Sequence, residues 1–143
     1  MSVIQFVVII FGVTFTVQQI EDMKNNQLSK RYDLYVSTYD RLNSGTNRQV
    51  MLAVSKNIPI LKSEGGRFTE DQVDDYLGEL QDVNDKMNRD LLSTDLVCQG
   101  FYYIAKDTLS NRYIQKYITE NEKVYPGVYS WVDDLSEFMK TCQ

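Results

Sequence analysis

The side chains best placed to do chemistry are the carboxylates of one acidic stretch. Asp71, Asp75 and Glu79 recur at intervals of four and Asp82 follows at three, so on a helix all four share a side. Asp74 and Asp85 fall in the same stretch. Carboxylates stacked this way have three uses. Converging on a cavity they hold a divalent cation, but no loop here has the alternating Asp/Asn pattern closed by glycine that a Ca²⁺ site needs. Facing outward they form a solvated surface, favoured near a helix start by the macrodipole, or a docking face for a basic partner. Other catalytic sets are missing. The chain has no histidine, which removes Ser-His-Asp and Cys-His nucleophiles, HExxH zinc sites and the Glu-x-x-His motif of di-iron bundles. Gly65-Gly66 lacks the spacing and the Lys-Ser/Thr of a phosphate loop. The sequence reads as a non-enzyme with no cofactor and no metal.

Two other residue types invite a function. Of ten tyrosines, Tyr102, Tyr103, Tyr113, Tyr117, Tyr125 and Tyr129 crowd into the C-terminal third with Trp131. Tyrosine, apolar in body and polar at the tip, suits an interface or the rim of a small core. The two cysteines, Cys98 and Cys142, form no CxxC and no metal-ligand spacing. Isolated cysteines usually serve as small apolar fillers, and two reduced thiols are expected.

The elements that position these residues read as helices. Val73, Tyr76, Leu77, Leu80, Val83 and Met87 make one apolar face of the acidic helix. Thr69 and Gln72 form a capping box at its start, with Phe68 and Val73 as a hydrophobic staple. Upstream, Ile20, Met23, Leu28, Tyr32, Tyr35, Val36, Tyr39 and Leu42 recur at spacings of three and four. That stripe ends at Asn43-Ser44-Gly45, a stop signal, and Asn25-Asn26 is the place for a bend. A helix over 46–57 with Val50, Met51 and Val54 inward follows, then a loop with Pro59 and Ser63-Glu64-Gly65-Gly66. Ser93-Thr94-Asp95 caps a helix carrying Val97, Phe101, Ile104 and Ala105. After a break at Ser110-Asn111 comes a short helix with Tyr113, Ile114, Tyr117 and Ile118. Pro126, suited to a first turn, is expected to open a last helix with Val128, Val132, Leu135 and Met139 inward and Trp131 and Phe138 alongside.

No side chain from Met1 to Ile20 is charged, and Glu21 and Asp22 arrive together. Twenty residues of helix reach ~30 Å, about the thickness of a bilayer's hydrocarbon core. Two other readings of this run are a signal peptide, for which the basic n-region and cleavage site are wanting, and a buried core helix. The membrane reading gives an all-α chain, with a single transmembrane helix over 1–20 continuing into a small helical bundle over 21–143. Lys24, Lys30 and Arg31 follow the run closely, so positive-inside reasoning places Met1 outside and the bundle in the cytoplasm. Gln5, Ile9, Gly12, Thr16 and Gln19 fall on one side of the span, opposite Val3, Phe6, Val7, Ile10, Val13 and Val17. Gly12 and Thr16 are a small-xxx-small pair and the glutamines supply hydrogen bonds, which makes this side a helix-packing interface toward a second copy or another subunit.

The net charge of −5 argues against nucleic acid as a partner. The charge is uneven. Residues 21–62 hold seven Lys/Arg and four acids, residues 63–95 three and ten, and the remainder five and six.

Val17-Gln18-Gln19-Ile20, Tyr39-Asp40-Arg41-Leu42-Asn43-Ser44, Tyr76-Leu77-Gly78-Glu79-Leu80 and Tyr125-Pro126, taken in this order, resemble a widespread prokaryotic family catalogued as a domain of unknown function. Its members have one N-terminal membrane helix and a small cytoplasmic helical domain. The matching stretches are short, and Arg89-Asp90 stands where the family pattern has a glycine before Leu91-Leu92. The resemblance implies no activity and no site residue. The expected role is a membrane-anchored interaction protein, an accessory or regulatory subunit of a membrane-associated assembly. The alternative is a soluble helical binding protein with the first helix in its core.

Overall fold

The computed structural model describes the backbone of residues 3–142 and the side chains of residues 18–142. The chain is all-α. Among the described residues six α-helices follow one another: α1 Val3–Leu42, α2 Gly45–Ser55, α3 Glu70–Asn88, α4 Thr94–Ser110, α5 Arg112–Val124 and α6 Trp131–Met139, with short 3₁₀ turns at Lys62–Glu64 and Lys140–Cys142. Among the described residues, β-pairing is limited to one bridge, Leu61 with Phe68. The chain divides into two compact units, Met1–Asp33 and Leu34–Gln143.

In the first unit the helix is unbroken through Asn25-Asn26. Its apolar positions Ile20, Met23 and Leu28 are each more than half exposed. Among the described residues, no helix is long and apolar enough to cross a membrane. The side chains of Gln5, Ile9, Gly12 and Thr16 lie outside the described residues; Gln19 is exposed.

The second unit holds the core. From Leu34 onward α1 meets the core through Leu34 and Tyr35, half-buried, and Thr38 and Leu42, fully buried; of the predicted stripe Tyr35 and Leu42 turn inward here while Val36 and Tyr39 stay exposed. The helix stops at Leu42, as Asn43-Ser44-Gly45 predicts, with Gly45 at φ +50°. Of α2, Val50, Ala53 and Val54 are buried against α3 and α4. α3 buries Val73, Tyr76, Leu77, Leu80 and Val83, the face its periodicity marks, and α4 buries Val97, Phe101 and Ala105. α6 lies across α4 and α3, delivering Trp131, Leu135 and Met139.

Local chemistry fixes the ends. At α3 the Thr69 hydroxyl accepts from the Gln72 N–H at 3.4 Å, and the Gln72 amide oxygen accepts from the Thr69 N–H at 3.0 Å. The staple residues Phe68 and Val73 are both buried. In the preceding loop, Gly66 is required by close approach. A Cβ there would sit 2.3 Å from the Ile60 carbonyl oxygen, which accepts from the N–H groups of Arg67 and Phe68. Asn111 ends α4 and caps α5. Its Oδ1 accepts from Tyr113 and Ile114 N–H at 2.9 and 3.1 Å, while its Nδ2 donates to the Val54 carbonyl at 2.9 Å. A buried hydroxyl pair ties α3 to α4: Thr108 donates to the Ile104 carbonyl and lies 2.5 Å from the Tyr76 hydroxyl.

Two expectations are corrected. Pro126 does not open the last helix, which begins at Trp131. Residues 126–130 form turns instead, with Gly127 at φ +88° and the Glu122 carboxylate accepting from the N–H groups of Gly127 and Tyr129. Val128, expected inward, is 46% exposed as a result, and Trp131 is buried in its place. The cysteines, expected as reduced thiols, are bridged in the structure. Packing of α6 on α4 returns the C-terminal turn to the start of α4, and Cys98 and Cys142 are disulfide-bonded with Cα atoms 5.3 Å apart, inside the ~4.4–6.8 Å usual for such bonds.

Candidate functional site

The acidic side of α3 divides into two regions. Glu79 and Asp82 are half-buried and bound within the molecule. The Arg41 Nε at the end of α1 sits 2.9 Å from Glu79 Oε2, while its other guanidinium nitrogen reaches Asp82 Oδ2. Lys86, one turn on in α3, shares that Asp82 oxygen and donates to the Thr38 hydroxyl at 2.7 Å. Charge pairs and a hydrogen bond between these residues tie the end of α1 to α3. Asp71 and Asp75, nearer the helix start, are exposed. The docking face read from the sequence therefore comprises two outward acids and two engaged ones. Among the described residues no group of three or more ligand-type side chains could hold a metal ion.

Asp74 is different. It sits just off the stripe, on the side of α3 that meets the C-terminal segment. Two phenols converge on its Oδ1: Tyr117 of α5 donates at 2.8 Å and Tyr129, in the turn before α6, at 3.0 Å. Burial pushes both hydroxyls well above the ordinary tyrosine range, and the hydrogen bond to Asp74 and its negative charge push further. Glu70 adds to the effect on Tyr117 and Glu122 to that on Tyr129. Both phenols are thus held as donors, and the carboxylate is pinned by one oxygen with Oδ2 left over.

Beside this triad lies a groove of about 220 Å³, lined among others by Asp74, Gly78, Gln81, Tyr125, Tyr129 and Trp131. The Glu122 clasp on Gly127 and Tyr129 sets the course of the chain along its far wall. Tyr129 and Trp131 meet edge to face, 6.5 Å between centroids and 62° between planes. Gly78 leaves the α3 wall low: a Cβ built there meets nothing within 4 Å. A second hollow, about 310 Å³ between α4 and α6, carries Lys106 and Lys140. Lys140 is paired with Glu137, and the Gln115 amide in the same hollow donates to the Leu109 carbonyl, so less of its polar chemistry is left for a ligand.

Sequence reasoning named the tyrosine-rich third and the acidic helix separately and missed their junction at Asp74. The usable signal was a carboxylate one helical step away from the outward stripe, on the edge of the apolar face. The disulfide had a fainter signal, an even count of two cysteines.

Fold and groove together define the class: an all-α helical bundle bearing an aromatic groove with one pinned carboxylate. No protein-family model, curated protein or solved structure matches the chain.

Proposed function

We propose that the chain is a membrane-anchored interaction protein, acting by binding as an accessory or regulatory subunit of a membrane-associated assembly. The observation that carries this reading is the uncharged run from Met1 to Ile20 ahead of Glu21 and Asp22, long enough as a helix to span a bilayer's hydrocarbon core. The bundle then lies on the cytoplasmic side, a placement supported by Lys24, Lys30 and Arg31. The absence of histidine and of a P-loop favours a binding role over a catalytic one. The side of the span with Gln5, Ile9, Gly12, Thr16 and Gln19 is proposed to pack on a second copy or another membrane subunit.

Membrane fractions washed in alkaline carbonate should retain the protein, and cysteines placed at Ile9, Gly12 and Thr16 should cross-link to the neighbouring helix while those at Ile10 and Val13 do not. Release by carbonate would remove the anchor from the proposal. Cross-linking uniform around the helix would remove the packing face.

A further inference from the structure

We propose that the apolar turn between α5 and α6 of one copy docks into the hollow between α4 and α6 of a second copy, in a head-to-tail contact. The inference rests on the reading of the bundle as an interaction domain and names a partner for it.

The turn is an unusual surface. Val124-Tyr125-Pro126-Gly127-Val128 carries no charge and no polar side-chain group beyond the Tyr125 hydroxyl. All five residues are exposed, Val124 by 65% and Tyr125 by 63%. Single apolar residues on a surface are ordinary, whereas a contiguous apolar patch marks a place of contact. The turn is also fixed. The N–H groups of Tyr125, Val128 and Ser130 donate to the carbonyls of Asn121, Tyr125 and Gly127. The Glu122 carboxylate accepts from Gly127 and Tyr129. A backbone held this way presents its side chains without the ordering cost a loose loop meets on binding, and tyrosine is among the residues that most often carry an interface.

The hollow offers the reciprocal surface. It measures about 310 Å³ and has Tyr102, Leu109 and Met139 among its walls. An apolar cavity of roughly 150 Å³ already takes a benzene ring, so the Tyr125 side chain has room. Two of its polar groups are spent internally: the Ser110 hydroxyl donates to the Asp107 carbonyl and the Gln115 amide to the Leu109 carbonyl. That suits an apolar occupant. The charges are complementary. The two charged residues lining the hollow are both lysines, Lys106 and Lys140. Lys140 is paired with Glu137, while Lys106 lies 5.5 Å from the centre of the Tyr102 ring and enters no ion pair among the described residues. The turn follows Glu120 and Glu122, with Lys123 as its one cation.

Turn and hollow cannot meet within one chain. α5 runs from Gln115 in the hollow to Val124 at the turn, and α6 runs from Trp131 beyond the turn to Met139 in the hollow. Each helix therefore holds the two roughly 12–13 Å apart. The contact joins unlike surfaces of two copies, and a third copy can add to either free end. A lipid surface suits the turn less well. It adjoins Asp74 through Tyr129, near the start of α3, whereas α1 joins α3 toward its other end, with Arg41 on Glu79 and Asp82 and Thr38 on Lys86. The turn covers roughly a few hundred Å² per copy, short of the ~1,200 Å² total of stable complexes, so the association is weak and rises with protein concentration.

Photocross-linking tests the contact. Full-length protein with p-benzoylphenylalanine in place of Tyr125, irradiated in an uncharged maltoside detergent, should give an adduct between two copies that maps to Tyr102, Leu109 or Met139. The same group in place of Leu91, 43% exposed in the turn between α3 and α4, should not reach those residues. Val124→Asp should cut the yield roughly tenfold or more. Ser136→Trp, at an exposed position lining the hollow, fills the receiving site. A copy with the photoreactive group and Ser136→Trp can donate its turn but not receive one, and alone it should give no adduct. Mixed with Val124→Asp protein, which receives but cannot donate, it should give the adduct again and stop at two copies. Should Ser136→Trp melt early, Lys106→Glu takes its place and should lower the yield several-fold. Irradiated membranes should yield the same pair. An adduct on lipid, on another protein or on a different face of the second copy would overturn the proposal. So would an undiminished adduct from the Ser136→Trp copy alone, or no adduct from protein with a normal melting transition. None of these results bears on carbonate extraction or on cross-linking from Ile9, Gly12 and Thr16, so the anchor stands or falls separately.

Discussion

Three phenols in this domain are kept from ionising by where they sit, and their titration is a direct probe of the packing. Tyr76 is fully buried and Tyr117 nearly so, while Tyr129 is half-buried with its hydroxyl on Asp74. Burial is the first cause of the upward displacement in all three, before any charge. A phenol whose folded pKa lies above its unfolded value of 10.0 contributes stability that is complete below that pH and is lost as pH rises beyond it, because only the unfolded chain gives up the proton. Stability should therefore fall above about pH 10. Absorbance at 295 nm should show these three phenolates appearing together with loss of the helical signal. Substituting Tyr117→Phe and Tyr129→Phe together should remove two phenolates from that late phase. Three phenols ionising early, with the fold intact, would contradict the burial. Little of this was legible beforehand. The sequence shows ten tyrosines but not which carboxylate they meet. Asp71, Asp75, Glu79 and Asp82 draw attention by their spacing, yet spacing describes one helix and says nothing of what packs alongside. Asp74, one step off the stripe, acquires its role from α5 and from the turn before α6.

At the level of elements, agreement was best where a local device fixes an end. The box at Thr69 and Gln72 starts α3 in both sequence and structure, since its two hydrogen bonds close within four residues. Thr69→Ala should destabilise the protein by ~0.5–2 kcal/mol, the usual loss for an N-cap. Thermal unfolding at neutral pH measures it, and Thr69→Ser, which retains the hydroxyl, should recover most of the difference. Ser93 and Asn111 are of the same kind, each accepting from backbone N–H groups of the helix it opens. Where a side chain of the preceding helix competes, the local signal fails. Pro126 is well suited to a first turn, but the Glu122 carboxylate takes the N–H groups of Gly127 and Tyr129 and holds five residues in turns before Trp131 can begin α6. The same limit applies to the stripe on α1. Its period announces a helix with an apolar side, yet the core takes up only Tyr35 and Leu42 of it and adds Leu34 and Thr38 from beside it.

At the level of the whole chain, the Cys98–Cys142 bond and the charges at Lys24, Lys30 and Arg31 give opposite indications of compartment. Disulfides persist in oxidising spaces and are rare where glutathione keeps thiols reduced. If the uncharged run spans a membrane, as proposed, three basic residues just after it favour retention of the bundle on the cytoplasmic side. The two fit together if the bond is the oxidised form of a domain that carries free thiols in the cell. The bond closes a loop 44 residues long, and cross-links of that size typically contribute about 2–4 kcal/mol by restricting the unfolded chain. The core runs from Leu42 to Met139 through every helix of the second unit, so the reduced domain should stay folded with a lower melting temperature than the bridged one. In intact cells treated with a membrane-permeant alkylating agent before lysis, both cysteines should be trapped as thiols. An impermeant reagent should leave them unlabelled, and a reporter fused at the C-terminus should prove internal. Protein recovered fully bridged from cells alkylated in this way, together with an external reporter, would reverse the orientation and put the aromatic groove on the oxidising side of the membrane.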